Sequence, residues 1–168
     1  MNRTKRSPRP ASRCVSRRSR ARRHDPKISV DVVIQRRSLR LAASKLNSIV
    51  RFVLRAEGVR SAQIELALVD DATIRKLHRR FVKLDTPTDV LTFPLNEPHE
   101  PLSGQIVLSV ETAARVGPAH GLTTEEEVLL YAIHGILHLC GYDDTTIRAA
   151  RRMRNRQESL LRSVLRFK

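Results

Sequence analysis

The sequence predicts a small α+β domain, a mixed β-sheet packed with helices, behind a disordered basic tail. Apolar residues alternate at period two in some segments and recur at helical spacing in others, in the order β-α-β-α-β-β-α-α-α. The 168 residues suffice for one domain of ordinary size with a buried core. The charge, net +15, is unevenly spread. Residues 1–26 hold 10 basic and 1 acidic residue, 27–144 hold 14 and 15, and 145–168 hold 8 and 1. The domain at 27–168 thus has a near-neutral middle, 27–144, and the basic character belongs to the two ends of the chain. Such a balance is expected to meet a polyanion, and a uniformly basic histone-like protein is excluded.

Residues 1–26 offer almost no apolar surface to offset chain entropy, so they are expected to be disordered. Ile28, Val30, Val32 and Ile34 alternate as a strand. Leu39, Ala42, Ala43, Leu46, Ile49, Val50, Val53 and Leu54 follow at helical spacing, with Gly58 suited to the reversal after them. A second strand covers 62–68. Asp70 or Asp71 caps a helix carrying Ile74, Leu77 and Phe81. After the loop 83–88 come the short strand 90–93, a proline-marked loop, a strand over 105–110 and a short helix over 111–116. Thr124 with Glu127 fits a capping box for a helix running to about Cys140, and Glu125 to Glu127 complement its dipole. Thr145 or Thr146 caps a last helix with Ile147, Ala150, Met153, Leu160 and Val164 on one face.

The two cysteines, Cys14 and Cys140, make no disulfide framework, as expected of a reducing compartment. The longest mainly apolar run, 128–142, is too short and, with two histidines, too polar to span a bilayer. The N-terminus has no apolar core behind its arginines and no amphipathic period, so neither a secretory signal nor a transit peptide is expected. The expectation is a soluble cytoplasmic protein with no membrane partner.

His134 and His138 are four apart on a helix, so both imidazoles lie on one face, as two ligands of a tetrahedral zinc must. Gly141 can reverse the chain, letting Asp144 return to the same metal, and 134, 138, 141 and 144 have the ligand spacing of a zincin-like helix. A zincin protease carries Glu directly after the first histidine; here stands Gly135, which excludes that base and argues against a peptidase. The alternative is that both histidines are core residues.

The segment 134–144, HGILHLCGYDD, resembles the H-G-x-L-H-L-x-G-Y-D-H signature of the YbeY endoribonucleases, a bacterial family of rRNA maturation factors. Residues 88–94 (TDVLTFP) and 104–109 (GQIVLS) resemble that family's T-D-V-L-S-F-P and G-D-I-x-I-S, in the family's order, and the resemblance covers about 28–165. It implies a zinc-dependent hydrolase, a single-strand-specific endoribonuclease acting in late ribosome biogenesis. Its partners would be single-stranded rRNA and ribosomal particles, including the 3′ end of small-subunit rRNA. The family's three histidine ligands map onto His134, His138 and Asp144, with Asp143 beside them; the alternative ligand is Asp143. Two histidines and a carboxylate also suit ferrous iron and related divalent metals. No catalytic base is assigned, and no protein partner is identified.

Two departures from the family matter. His78-Arg79-Arg80-Phe81-Val82 stands where the family has Asn-x-x-aromatic-Arg, so Val82 replaces an arginine implicated in RNA cleavage. Arg79, Arg80 and Lys83 are the candidate RNA-binding cations. Gln105 replaces an acidic residue. His78 is expected to be solvated or at an edge, His99 and His120 to have no role, Asp85 and Asp89 to be structural, and Cys140 to be a small core residue rather than a ligand. The six aromatic residues make no stacking platform, so RNA contact is expected to be mainly electrostatic. Two other functions fit the residues: a metal-stabilised RNA-binding assembly factor that does not cleave, and a hydrolase of a small phosphoester or amide.

Overall fold

The computed structural model describes residues 27–35 and 41–166. The expected disordered tail at 1–26 and Leu39 lie outside them. Strand β1 (Ile28–Ile34) leads through helix α1 (Ala43–Ala56) to β2 (Ala62–Val69), which pairs with β1 in parallel. Helix α2 (Asp71–Phe81) is followed by β3 (Val90–Pro94) and β4 (Leu102–Ser109). β4 inserts between the two, parallel to β2 and antiparallel to β3, so the sheet order is β1-β2-β4-β3. Helix α3 (Val110–Val116), a 3-10 turn (Gly117–His120), α4 (Thr124–Leu139) and α5 (Ile147–Arg166) complete the expected mixed α+β fold.

The core follows the pleat of β4. Ile106 and Leu108 point into the larger cluster, which holds α1, α4 and α5. Val107 points the other way, to Val69, Ile74 and Leu91 beneath α2. α1 buries Leu46, Ile49, Val50, Val53 and Leu54, the stripe its sequence spacing predicts.

The differences from expectation lie at element ends. β4 stops at Ser109, one residue early, because the Ser109 side chain caps α3 by accepting from Thr112 N. Asp70, not Asp71, caps α2, accepting from Thr73 N at 2.7 Å. The capping box of α4 is Thr123 with Glu126, one residue before the expected pair. Ile147 is not on the apolar face of α5 but 92 % exposed, and Phe81 is also exposed. Thr146 rather than Thr145 caps α5, accepting from Ala149 N at 3.2 Å.

A candidate metal centre on helix α4

α4 packs close against β3 and β4 because Gly135 has no side chain. A Cβ there would sit 2.7 Å from Ile106 Cγ2 and 3.0 Å from Thr92 Oγ1. The position that carries the general base in a zincin protease therefore faces the sheet here. His134 and His138 lie on the neighbouring stripe, lining an open groove of about 410 Å³ with Asp89, Val90, Thr92 and Pro94.

The helix ends in a Schellman turn. Gly141 N donates to His138 O at 3.0 Å and Tyr142 N to Leu137 O at 3.0 Å. Gly141 adopts φ +88, a left-handed conformation that disfavours any side chain. The reversal brings Asp144 Oδ2 to 3.8 Å from His138 Nε2. One ligand atom each from His134, His138 and Asp144 lies within 4.8 Å of the others. Asp143 does not join them: it accepts from Thr145 N at 3.1 Å, and the Thr145 hydroxyl and amide hold its carboxyl below the usual range.

The imidazoles are oriented from behind. His138 Nδ1 lies 3.1 Å from Tyr142 O, which can only accept, so that nitrogen carries the proton. His134 Nδ1 lies 3.0 Å from Gln157 Oε1 on α5. Both rings thus turn Nε2 inward, and the two Nε2 atoms are 2.9 Å apart. Two lone pairs that close repel unless a proton or a cation lies between them. A tetrahedral zinc sets such nitrogens about 3.3 Å apart from bonds of about 2.0–2.1 Å, so the donor set fits a divalent ion. Asp144 is about half exposed, which leaves the solvent side of the group open.

Burial pushes the Cys140 thiol up to about 11, so it stays a neutral, partly buried core residue as expected. Asp85 pairs with Arg75, and Asp89 accepts from Val90 N at 2.9 Å; both hold the loop between them, as structural residues do. His78 corrects its expectation. It is buried, with Nδ1 2.7 Å from Thr86 O, because the 82–89 segment folds back over α2. His120, expected to have no role, lies 3.1 Å from fully buried Glu127.

Arg79, Arg80 and Lys83 are not gathered at the metal group. They are exposed at the end of α2, on the opposite face of the sheet from α4. Arg80 stacks 5.3 Å over Phe81, which meets Phe93 of β3 edge-on, so the cation flanks the strand that lines the groove. Gln105 donates to Glu65 at 2.6 Å, directly across β2 and β4; an acid at 105 would oppose that carboxylate. The sequence reading missed Gln157. A polar residue in step with Met153, Leu160 and Val164 on the buried face was its signal.

A family profile, Endoribonuclease YbeY, matches residues 31–165. The chain belongs to the YbeY endoribonuclease family. The Endoribonuclease YbeY of Moorella thermoacetica is 42 % identical over 133 residues, covering 72 % of this chain and 85 % of its own length. That of Salinibacter ruber is 33 % identical over 136 residues, covering 76 % and 87 %. The solution structure of TM1509 from Thermotoga maritima matches with a TM-score of 0.57 at 28 % identity, over 82 % of this chain and 89 % of that one. Against the YbeY signature, the chain places an aspartate, Asp144, where the third histidine is expected. Among the described residues, no helix is long and apolar enough to cross a membrane.

Proposed function

We propose that this chain is a zinc-dependent endoribonuclease cutting single-stranded RNA in the cytoplasm, with His134, His138 and Asp144 as the metal ligands. Its substrate is rRNA in ribosomal particles late in assembly, including the 3′ end of the small-subunit rRNA. The observation that carries the reading is the inward pair of Nε2 atoms beside Asp144, each ring held from behind by an acceptor. A divalent ion held there supplies Lewis acidity to a phosphoryl oxygen and lowers the pKa of water. Tyr142 and Gln157 fix the imidazoles, so little reorientation accompanies binding. Arg79, Arg80 and Lys83, exposed beyond the edge strand, hold the phosphates of the strand passing over it. Residues 1–26 add sequence-independent attraction to the same polyanion. Purified protein is incubated with single-stranded rRNA fragments with and without chelator. Cutting that stops on chelation and in His134→Ala supports the proposal; cutting that survives both refutes it.

Val82 favours a second reading, an assembly factor that binds RNA without cutting. It sits half-exposed at the end of α2, where the family carries an arginine. Val82→Arg restores a bidentate phosphate donor in open space. A gain in cutting with metal content unchanged supports a nuclease weakened at this position. No cutting by either protein, with RNA binding intact, supports the assembly factor.

A further inference from the structure

The end of α1 and the start of β1 border a second recess, about 400 Å³, that shares no residue with the groove at His134. Lys27, Arg51, Arg55 and Arg60 line it, with no carboxylate and no aromatic ring among the described residues of its wall. The side chains of Lys27, Arg55 and Arg60 have no hydrogen bond or ion pair among the described residues. Arg51 is positioned: its Nε donates to Asn47 Oδ1 at 2.7 Å, and Asn47 Nδ2 donates to Val30 O at 2.6 Å. That leaves its terminal nitrogens for another acceptor. Glu57, the acid closest in sequence among the described residues, is engaged elsewhere, by Arg156 Nε at 2.7 Å and the Tyr142 hydroxyl at 3.1 Å.

Four cations lining one recess with no acid among the described residues of its wall repel one another, and the local fold accounts for only part of the arrangement. Arg55, in the last turn of α1, complements the helix dipole. Arg60 follows the helix and Lys27 precedes β1, so neither position serves that purpose. An oxyanion in the recess would offset all four. The recess falls within the range of about 300–1,000 Å³ typical of ligand sites, room for a phosphate with its sugar. With no aromatic ring to stack a base, such a site recognises phosphate and ribose whatever the sequence. The chain also enters β1 at Lys27 directly from residues 1–26, which hold 10 Lys and Arg.

We infer that the Lys27–Arg51–Arg55–Arg60 recess is a phosphate-binding exosite for the RNA strand, outside the metal groove. The inference rests on the reading that RNA is the substrate, but it concerns affinity and not the chemical step. It predicts that the recess raises substrate affinity without touching the scissile bond.

The test is the double charge reversal Arg55→Glu/Arg60→Glu, both side chains being exposed and without a hydrogen bond or ion pair among the described residues. Binding of a fluorescent single-stranded oligonucleotide is measured in chelator across a salt series. Affinity at low salt is expected to fall about tenfold or more, and the salt slope to flatten by roughly 1.4 for two lost phosphate contacts. In the cutting assay KM should rise with kcat unchanged, and Arg55→Lys/Arg60→Lys should restore binding. Lys45→Glu/Lys76→Glu makes the same charge change outside the recess. If it weakens binding as much, or if the recess variant binds as wild type does, the inference is overturned. Titration with inorganic phosphate separates the two sources of the oxyanion. Phosphate binding lost in the variant while RNA affinity and slope stay unchanged would overturn the RNA assignment. Reduced affinity in the variant, with no cutting by any protein, would sink the nuclease reading and leave the exosite standing.

Discussion

Gly135→Ala sets two opposing effects against each other. Alanine is the better helix former by about 1 kcal/mol, so on propensity alone the change stabilises α4. Packing works the other way. The new methyl would lie 2.7 Å from Ile106 Cγ2, which belongs to a fully buried β-branched residue on the strand flanked by β2 and β3. That methyl cannot swing aside without moving β4, whereas Thr92 Oγ1, at 3.0 Å, can rotate. Overpacking of this kind costs about 1–3 kcal/mol, so the net expectation is a loss of about 1 kcal/mol, or about 2–4 °C in melting temperature. Urea unfolding of both proteins in chelator, so that metal binding does not enter, reads the difference as a lower midpoint at unchanged slope. Ile106→Leu removes the branch methyl at nearly constant volume, and in that background Gly135→Ala should cost distinctly less. If Gly135→Ala instead gains about 1 kcal/mol, helix propensity governs the position and the account of its packing fails.

Wild type should bind about one zinc per chain, and Asp144→Ala should lose most of it. Asp144→His should keep metal and shift preference toward zinc, and Asp143→Ala should cost less than Asp144→Ala; metal analysis of the four proteins checks the set. Asp143→Ala losing metal while Asp144→Ala retains it would reverse the ligand assignment. Gln157→Leu removes the acceptor behind His134 and should weaken metal affinity about 10- to 100-fold with the fold intact, measured by competition with a chelating dye. Burial of Asp71 opposes its ionisation, but hydrogen bonds from Ser109, Arg115 and Thr112 outweigh it and hold the carboxyl below its ordinary value. Its contribution is therefore present above the unfolded-state pKa and lost as pH falls through the lower folded value. Asp71→Asn should cost about 2 kcal/mol at neutral pH, and the cost should shrink on acidification below about pH 4, read by unfolding at several pH values.

What was legible in the sequence was local. The strands announce themselves by alternation, and the pairing of His134 with His138 needs only the helix period. The return of Asp144 needs only one more turn, built on Gly141. Where two local readings competed, contacts distant in sequence decided. Thr123–Glu126 and Thr124–Glu127 are both plausible boxes; Glu127 is withdrawn because it sinks into the core beside His120 from the preceding turn. His78 reads as solvated on an arginine-rich helix because nothing in its neighbourhood reveals that the carbonyl of Thr86 covers it. Ile147 reads as core because its spacing is right, but it occupies the first position of α5, where it is almost fully exposed.

The candidate metal centre divides along the same line. Its three donors and the Tyr142 carbonyl that holds His138 come from one stretch of eleven residues, but the acceptor behind His134 and the anchor of the Tyr142 side chain do not. Gln157, 23 residues from His134, holds that ring from α5. Tyr142 holds His138 through its carbonyl and is itself held through its hydroxyl by Glu57, 85 residues away, which Arg156 also grips. Glu57 thereby ties the end of α1 and the body of α5 to the turn that carries the third donor. Two histidines and an acid at the right spacing specify which atoms converge. The local turn places the Tyr142 carbonyl behind His138, but only the assembled tertiary structure brings Gln157 behind His134. Two Nε2 atoms facing one point are what distinguish a candidate metal centre from two histidines on a core helix.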